Sequence, residues 1–134
     1  MSKNLDLTAA LIITTYNKPK LLELVLETAL RQEVAPHEII VADDGSKEET
    51  ERVVRKAAEE STVTIKHVWQ EDKGYRLNHS RNNAIAVAES EYITLIDGDS
   101  FLREWFIHDH LYFASPGRFV AGTRGQLKTE AQKR

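Results

Sequence analysis

The 134-residue sequence contains no cysteine. That one absence excludes a disulfide framework, a thiolate metal site and a cysteine nucleophile. Charge of one sign is lacking too: 18 Lys and Arg stand against 21 Asp and Glu, a net of −3. Such a balance gives no basic footprint for nucleic acid or for an anionic membrane. No apolar run approaches the ~18 residues of a membrane span. The opening "MSKNLDLTAALIITTYN" has no basic stretch ahead of a long apolar region, so no secretory signal is read. The expected setting is soluble and cytoplasmic, with peripheral contact at the inner membrane face left open. Asn78-His79-Ser80 fits the glycosylation acceptor pattern, but without a secretory route it reads as chance. Missing as well are G-x-G-x-x-G, a Walker glycine loop ending in Lys-Ser/Thr, and H-E-x-x-H, so dinucleotide oxidoreductases, P-loop NTPases and zinc proteases lose support.

What is present is alternation. "TAALIIT" (8–14) reads as a fully buried strand. Residues 18–33 read as a helix, with Pro19 in its first turn and Leu22, Val25, Leu26 and Ala29 at helical spacing. Pro36 closes it, and "HEIIVAD" (37–43) is the second strand. Ser46 and Glu49 make a capping box for a second helix, with Val53, Val54, Ala57 and Ala58 facing inward. A half-buried strand follows at 62–70, a third helix at about 77–89 and a buried strand at 92–96. Residues 101–114 are aromatic-rich and expected to be helical, and "GRFVAGT" (117–123) looks like one more strand. There is no internal repeat or linker. The expectation is one α/β domain over 1–124, a mostly parallel sheet with helices on both faces, and a polar, disordered tail over 125–134.

In such sheets ligands bind beyond the carboxyl ends of the strands. Thr14, Thr15, Tyr16 and Asn17 follow the first strand, and Asp43, Asp44, Gly45 and Ser46 the second. Glu71, Asp72, Lys73, Gly74, Tyr75 and Arg76 follow the third, and Asp97, Gly98, Asp99 and Ser100 the fourth. Polar groups therefore gather at one rim.

Asp97-Gly98-Asp99 is the sharpest feature, because two like charges behind an apolar strand are costly unless something positive binds there. Hard carboxylate oxygens suit Mg²⁺ or Mn²⁺, which fill the rest of the shell with phosphates and water; an ordinary solvated Asp-Gly turn is the alternative. Asp44 either serves the turn or accepts a ring N–H from a pyrimidine such as uracil. Tyr16, on a loop, is placed to stack on a flat base or to lie half buried. Arg76 and Arg81 sit near a helix start, where the dipole prefers anions, so either a bound phosphate resolves the mismatch or both are solvated. His108 and His110, two apart, point to different helical faces and cannot chelate together.

In this order and spacing, "LIITTYNKPKLLELVLETALRQ", "EIIVADDGSKEET" and "GYRLNHSRNNAIAVAESEYITLIDGD" resemble the inverting family 2 glycosyltransferases of the GT-A fold. The similarity covers about residues 9–124. It implies a Rossmann-like core binding a nucleotide-diphospho-sugar, expected to be a UDP-sugar, with Mn²⁺ or Mg²⁺. It places Thr14 and Tyr16 at the base, Asp44 on the base N–H, and Arg76 and Arg81 close to the nucleotide. Asp97 and Asp99 match the family's D-x-D element, on the ribose and a divalent cation. An acceptor hydroxyl, of a saccharide or another alcohol, would then attack the sugar's anomeric carbon.

The resemblance departs at its end. Family members continue into an acceptor-binding half carrying the general base, whereas here the acids beyond the D-x-D are Glu104, Asp109 and Glu130, and none matches that base by position. The donor half looks complete and the acceptor half missing, so the general base is unassigned and self-association is an expectation. A non-catalytic nucleotide-binding module is the alternative. A nucleotidyltransferase is disfavoured because "TTYNKPK" lacks glycine for a triphosphate loop, and a receiver-like domain because its acid pair would follow the first strand.

Overall fold

The computed structural model describes residues 5–115. Strands and helices alternate strictly: β1 (Ala9–Thr15), α1 (Pro19–Leu30), β2 (Glu38–Asp43), α2 (Glu48–Glu60), β3 (Thr64–Trp69), α3 (Leu77–Val87), β4 (Tyr92–Asp97) and α4 (Phe106–Phe113). All strand pairs are parallel, in the order β3-β2-β1-β4. Sequence order reverses at β1, so the chain winds first one way and then the other. The crevice at such a reversal is where open α/β sheets bind ligands.

β1 and β2 are buried along their whole length, because each has a strand on either side and helices above and below. Leu11, Ile13, Ile39 and Val41 pack with Leu22, Val25 and Leu26 of α1, Val54 of α2, and Ile107 and Leu111 of α4. The opposite face carries Ala10, Ile12, Ile40 and Ala42 against Ala84 of α3. This two-sided cover is what near-continuous apolar strands require. On α2 the Arg52–Glu48 and Arg55–Glu51 pairs are exposed i,i+4 contacts. They contribute only about 0.3–0.5 kcal/mol each, so burial of Val54 and its neighbours holds the helix down.

Several expectations are corrected. Ser46 and Glu49 do not form a capping box: α2 starts at Glu48, its N-cap is Lys47, and no side chain caps it. The Ser46 hydroxyl is instead taken by the Asn17 N–H at 2.7 Å. β4 is not a buried strand. Among the described residues it pairs only with β1, and Ile93 and Leu95 are 37% and 47% exposed, as α3 packs mainly on β1, β2 and β3. The first helix ends at Leu30, short of 33. Residues 101–105 are not helical; Gln32 and Thr28 of the preceding layer hold them, with Gln32 Nε2 donating to Arg103 O at 2.7 Å and Leu102 N–H donating to Thr28 Oγ1 at 3.1 Å. The strand expected at 117–123, the tail and Glu130 lie outside the described residues. Among the described residues no helix is long and apolar enough to cross a membrane.

Candidate nucleotide-sugar site

β1 delivers Thr14 and Thr15 to the rim and then turns at Asn17, which adopts φ +48. Asparagine tolerates that left-handed conformation better than most residues. Its amide serves the turn, because Asn17 Oδ1 accepts from Lys47 N–H at 2.8 Å while its own N–H binds Ser46. The loops after β1 and β2 are thereby tied to each other.

At the end of β2 the two neighbouring aspartates do different work. Asp43 is wholly buried; Oδ1 accepts the Ser46 N–H at 2.9 Å and Oδ2 meets His67 Nε2 at 2.7 Å. It is a structural turn residue. Asp44 is 3% exposed yet lines the crevice, with Oδ1 accepting from Gln70 Nε2 at 2.7 Å and Oδ2 from Arg76 N–H at 2.8 Å. Gly45 combines φ +99 with close approach, since a Cβ there would lie 2.5 Å from Asp72 Cα. The loop after β3 is thus laid directly on the loop after β2.

Asp72 anchors that loop. Its Oδ2 accepts the Tyr16 hydroxyl at 2.8 Å, and this hydrogen bond, with the nearby charge, raises the Tyr16 phenol above its ordinary pKa. Tyr16 keeps an exposed ring with its hydroxyl fixed. Tyr75, 87% exposed, stands at the same cavity.

The fourth strand brings Asp97, and Arg81 of α3 reaches it: Nη2 donates to Asp97 Oδ1 at 2.9 Å and Nη1 to Asn78 Oδ1 at 3.1 Å. The arginine that looked misplaced near a helix start therefore offsets one of the two D-x-D charges. Gly98 follows because a Cβ there would lie 2.2 Å from the Thr14 carbonyl oxygen. Only glycine lets the D-x-D segment lie so close to β1.

These groups surround a cavity of about 620 Å³. Of the residues expected at the site, Thr14, Tyr16, Asp44, Arg81, Asp97 and Asp99 all line it. Arg76 does not; its main-chain N–H meets Asp44 and its carbonyl meets Gln70. Lys18, Leu21 and Leu77 line the cavity and were missed, as the rim was read too short after the first strand and at the third helix's start. His110 is elsewhere, 3.1 Å from the Tyr92 hydroxyl at the start of β4, the opposite end of the sheet; burial lowers its pKa against a smaller upward pull from Asp109. His108 pairs with Asp109 beside Trp105 and Tyr112. Neither histidine, nor Glu104 or Asp109, lines the cavity.

Among the described residues the lining carries four carboxylates, Asp44, Asp72, Asp97 and Asp99, against Lys18 and Arg81. A polyanionic ligand entering alone meets repulsion, and a cation entering with it removes that repulsion. Among the described residues no three His, Cys, Asp or Glu side chains gather to hold a metal by themselves. The carboxylate excess fits a divalent ion held by one or two carboxylates, with phosphate and water completing its shell.

The glycosyl transferase family 2 model matches residues 10–130. Chondroitin synthase of Escherichia coli is 33% identical over 121 residues, which is 83% of this chain and 17% of that protein. Among solved structures, mannosyltransferase PcManGT from Pyrobaculum calidifontis, in complex with GDP-Man and Mn²⁺, superposes with a TM-score of 0.72 at 26% identity, over 82% of this chain and 33% of its own. S. aureus TarS in complex with UDP-GlcNAc superposes at 0.70 over 86% of this chain and 37% of its own, with 23% identity, a likeness of fold.

Proposed function

The chain belongs to glycosyl transferase family 2, and from that membership we propose that it binds a nucleotide-diphospho-sugar, a UDP-sugar in the first instance, and supplies the donor half of an inverting sugar transfer. The observation carrying this is the convergence of Thr14, Tyr16, Asp44, Arg81, Asp97 and Asp99 on one cavity at the carboxyl ends of β1, β2 and β4. The base lies at the Asp44 end, with an N–H donated to the carboxylate and its ring against Tyr16. The diphosphate lies toward Arg81 and the D-x-D. Asp97 and Asp99 would hold a Mn²⁺ or Mg²⁺ ion, which when bound would offset negative charge on the nucleoside diphosphate. A hydroxyl of a saccharide or other acceptor attacks the anomeric carbon from the face opposite the leaving group, and the bond from that carbon to the diphosphate oxygen breaks. The base that takes the hydroxyl proton is not among the residues assigned here.

PcManGT carries GDP-Man, and guanine, like uracil, presents a ring N–H to an acceptor. The test therefore compares nucleotides. In a thermal-shift series of UDP, GDP, CDP and ATP with and without Mn²⁺, UDP stabilises the protein and the cation enlarges the shift. At a hundredfold excess over Kd the gain is ~2.7 kcal/mol. Stabilisation by ATP and not by UDP defeats the proposal. Release of UDP from UDP-sugars with Mn²⁺ separates turnover from the second reading, a binding module.

A further inference from the structure

We propose that Gln70 is the positioning residue for base recognition, its amide holding Asp44 in the orientation that accepts an imide N–H and coupling that orientation to the first turns of α3. This rests on the nucleotide-sugar reading above and adds a residue outside the cavity wall. Gln70 follows β3 and is 9% exposed. Every hydrogen-bonding position of its amide is used. Nε2 donates to Asp44 Oδ1 at 2.7 Å and to the Arg76 carbonyl at 3.2 Å, while Oε1 accepts from Asn83 Nδ2 at 3.1 Å and faces His79 Nδ1 at 2.7 Å.

The chemistry of the partners fixes the direction of each bond. A carboxylate and a carbonyl can only accept, so the NH₂ group must face them. Oε1 must then receive hydrogens, which puts a proton on His79 Nδ1. A flipped amide would set oxygen against oxygen on one side and N–H against N–H on the other. Arg76 N–H, at 2.8 Å, holds the second Asp44 oxygen. Asp44 cannot turn without breaking both bonds. A carboxylate has about four lone-pair sites, so two protein donors leave acceptor capacity for the cavity that Asp44 lines. Uracil offers N3–H to such an acceptor, and cytosine presents a lone pair there instead. Discrimination between them depends on Asp44 staying ionised and aimed, and Gln70 is what aims it.

The test uses the full chain and three probes, each with Mn²⁺: UDP, CDP and inorganic pyrophosphate, with binding measured by calorimetry. Gln70→Met keeps the length of the side chain and removes both donors and acceptors. UDP affinity is expected to fall by about tenfold or more, the scale of one hydrogen bond to a charged group. Pyrophosphate affinity should hold and the UDP-to-CDP ratio should collapse. A folded Gln70→Met protein with the wild-type ratio overturns the proposal; so does one losing UDP and pyrophosphate equally, which signals general loosening. If Gln70→Met does not fold, His79→Ala, at an exposed position, removes one donor to Oε1. A smaller fall in the same ratio is expected, and an unchanged ratio overturns the proposal. Failure of the wild type to bind UDP or pyrophosphate with Mn²⁺ would instead defeat the underlying nucleotide-sugar reading.

Discussion

Replacing Gly98 by alanine tests whether the D-x-D is placed by contact with β1. The added Cβ would lie 2.2 Å from the Thr14 carbonyl oxygen, and ordinary contact begins at 3.4 Å. About 1.2 Å of separation must therefore open against backbone, which cannot rotate away as a side chain would. Thr14 is also in register with Asp97 in the β1–β4 ladder, so the displacement falls on that pairing. Overpacking of this kind costs about 1–3 kcal/mol, and a backbone obstacle argues for the upper end. For a domain of this size that lowers Tm by roughly 8–12 °C. Gly74→Ala is the control: nothing lies within 4 Å of its Cβ, but φ is +84, so its cost of about 1–2 kcal/mol is conformational. The two differ in function. Gly98→Ala moves both carboxylates and should weaken Mn²⁺-dependent UDP binding beyond its stability loss, whereas Gly74→Ala should leave the cation dependence intact. Thermal melts and calorimetry read both quantities. A Gly98→Ala protein melting within about 2 °C of the wild type, with unchanged UDP–Mn²⁺ affinity, would refute the close-approach account.

Two further outcomes follow from charges at opposite ends of the sheet. Arg81→Ala removes the Nη2 donor from Asp97 Oδ1 and a cation from the proposed diphosphate region, so affinity for Mn²⁺ alone should rise while affinity for UDP with Mn²⁺ falls. The exposed pair limits the first effect to about fivefold, and calorimetry showing both affinities moving together counts against the assignment. Glu38, buried at the start of β2, is pushed up by burial, but hydrogen bonds from Lys66 Nζ at 2.8 Å, the Ser90 hydroxyl and the Glu89 N–H at 2.8 Å outweigh it and lower its pKa. A lowered carboxyl pKa stabilises the fold above the unfolded value of about 4.3 and loses that contribution as pH falls through the folded value. Glu38→Gln should therefore cost about 2 kcal/mol at neutral pH, and urea titrations should show the gap closing below about pH 4; a gap constant with pH defeats the linkage.

The alternation of elements was legible because β1 and β2 are apolar on both faces and α1 and α2 repeat at helical spacing. Neighbours within the sheet are not written in that pattern. Ile93 and Leu95 read as buried on hydrophobicity alone, and only the position of α3 over β1 to β3 shows that they are not. Ser46 had the chemistry of a cap, but a competing N–H from Asn17, distant in sequence, claims its hydroxyl. Arg76 was read as a charge and acts through its main chain, which no residue type announces. The rim rule found the cavity because it depends on topology more than on any side chain. Gln70 escaped it because the sequence reads as a strand through residue 70, whereas β3 ends at Trp69, and nothing in a lone glutamine points to a carboxylate far along the chain.

The two ends of the cavity are built differently. At Asp44 the protein supplies hydrogen-bond donors to both carboxylate oxygens, and Gln70 is satisfied in turn. That end needs no ligand to be stable, and its orientation is set before anything binds. At the D-x-D, Arg81 donates to Asp97, and among the described residues the cavity that both aspartates line has more carboxylates than cations. On the proposed reading, base selection is therefore preorganised while diphosphate affinity waits on a cation. Nucleotide preference should then persist in the absence of Mn²⁺, with every affinity lower by a similar factor. The same accounting bears on transfer. Among the described residues the cavity carboxylates are Asp44, Asp72, Asp97 and Asp99. Asp44 is engaged by Gln70 and Arg76 and Asp72 by Tyr16, and the proposed reading gives the other two to a metal ion. On the proposed reading each of the four therefore already has a role in donor binding or in holding the loops, and the group that takes the proton of an attacking hydroxyl is unassigned.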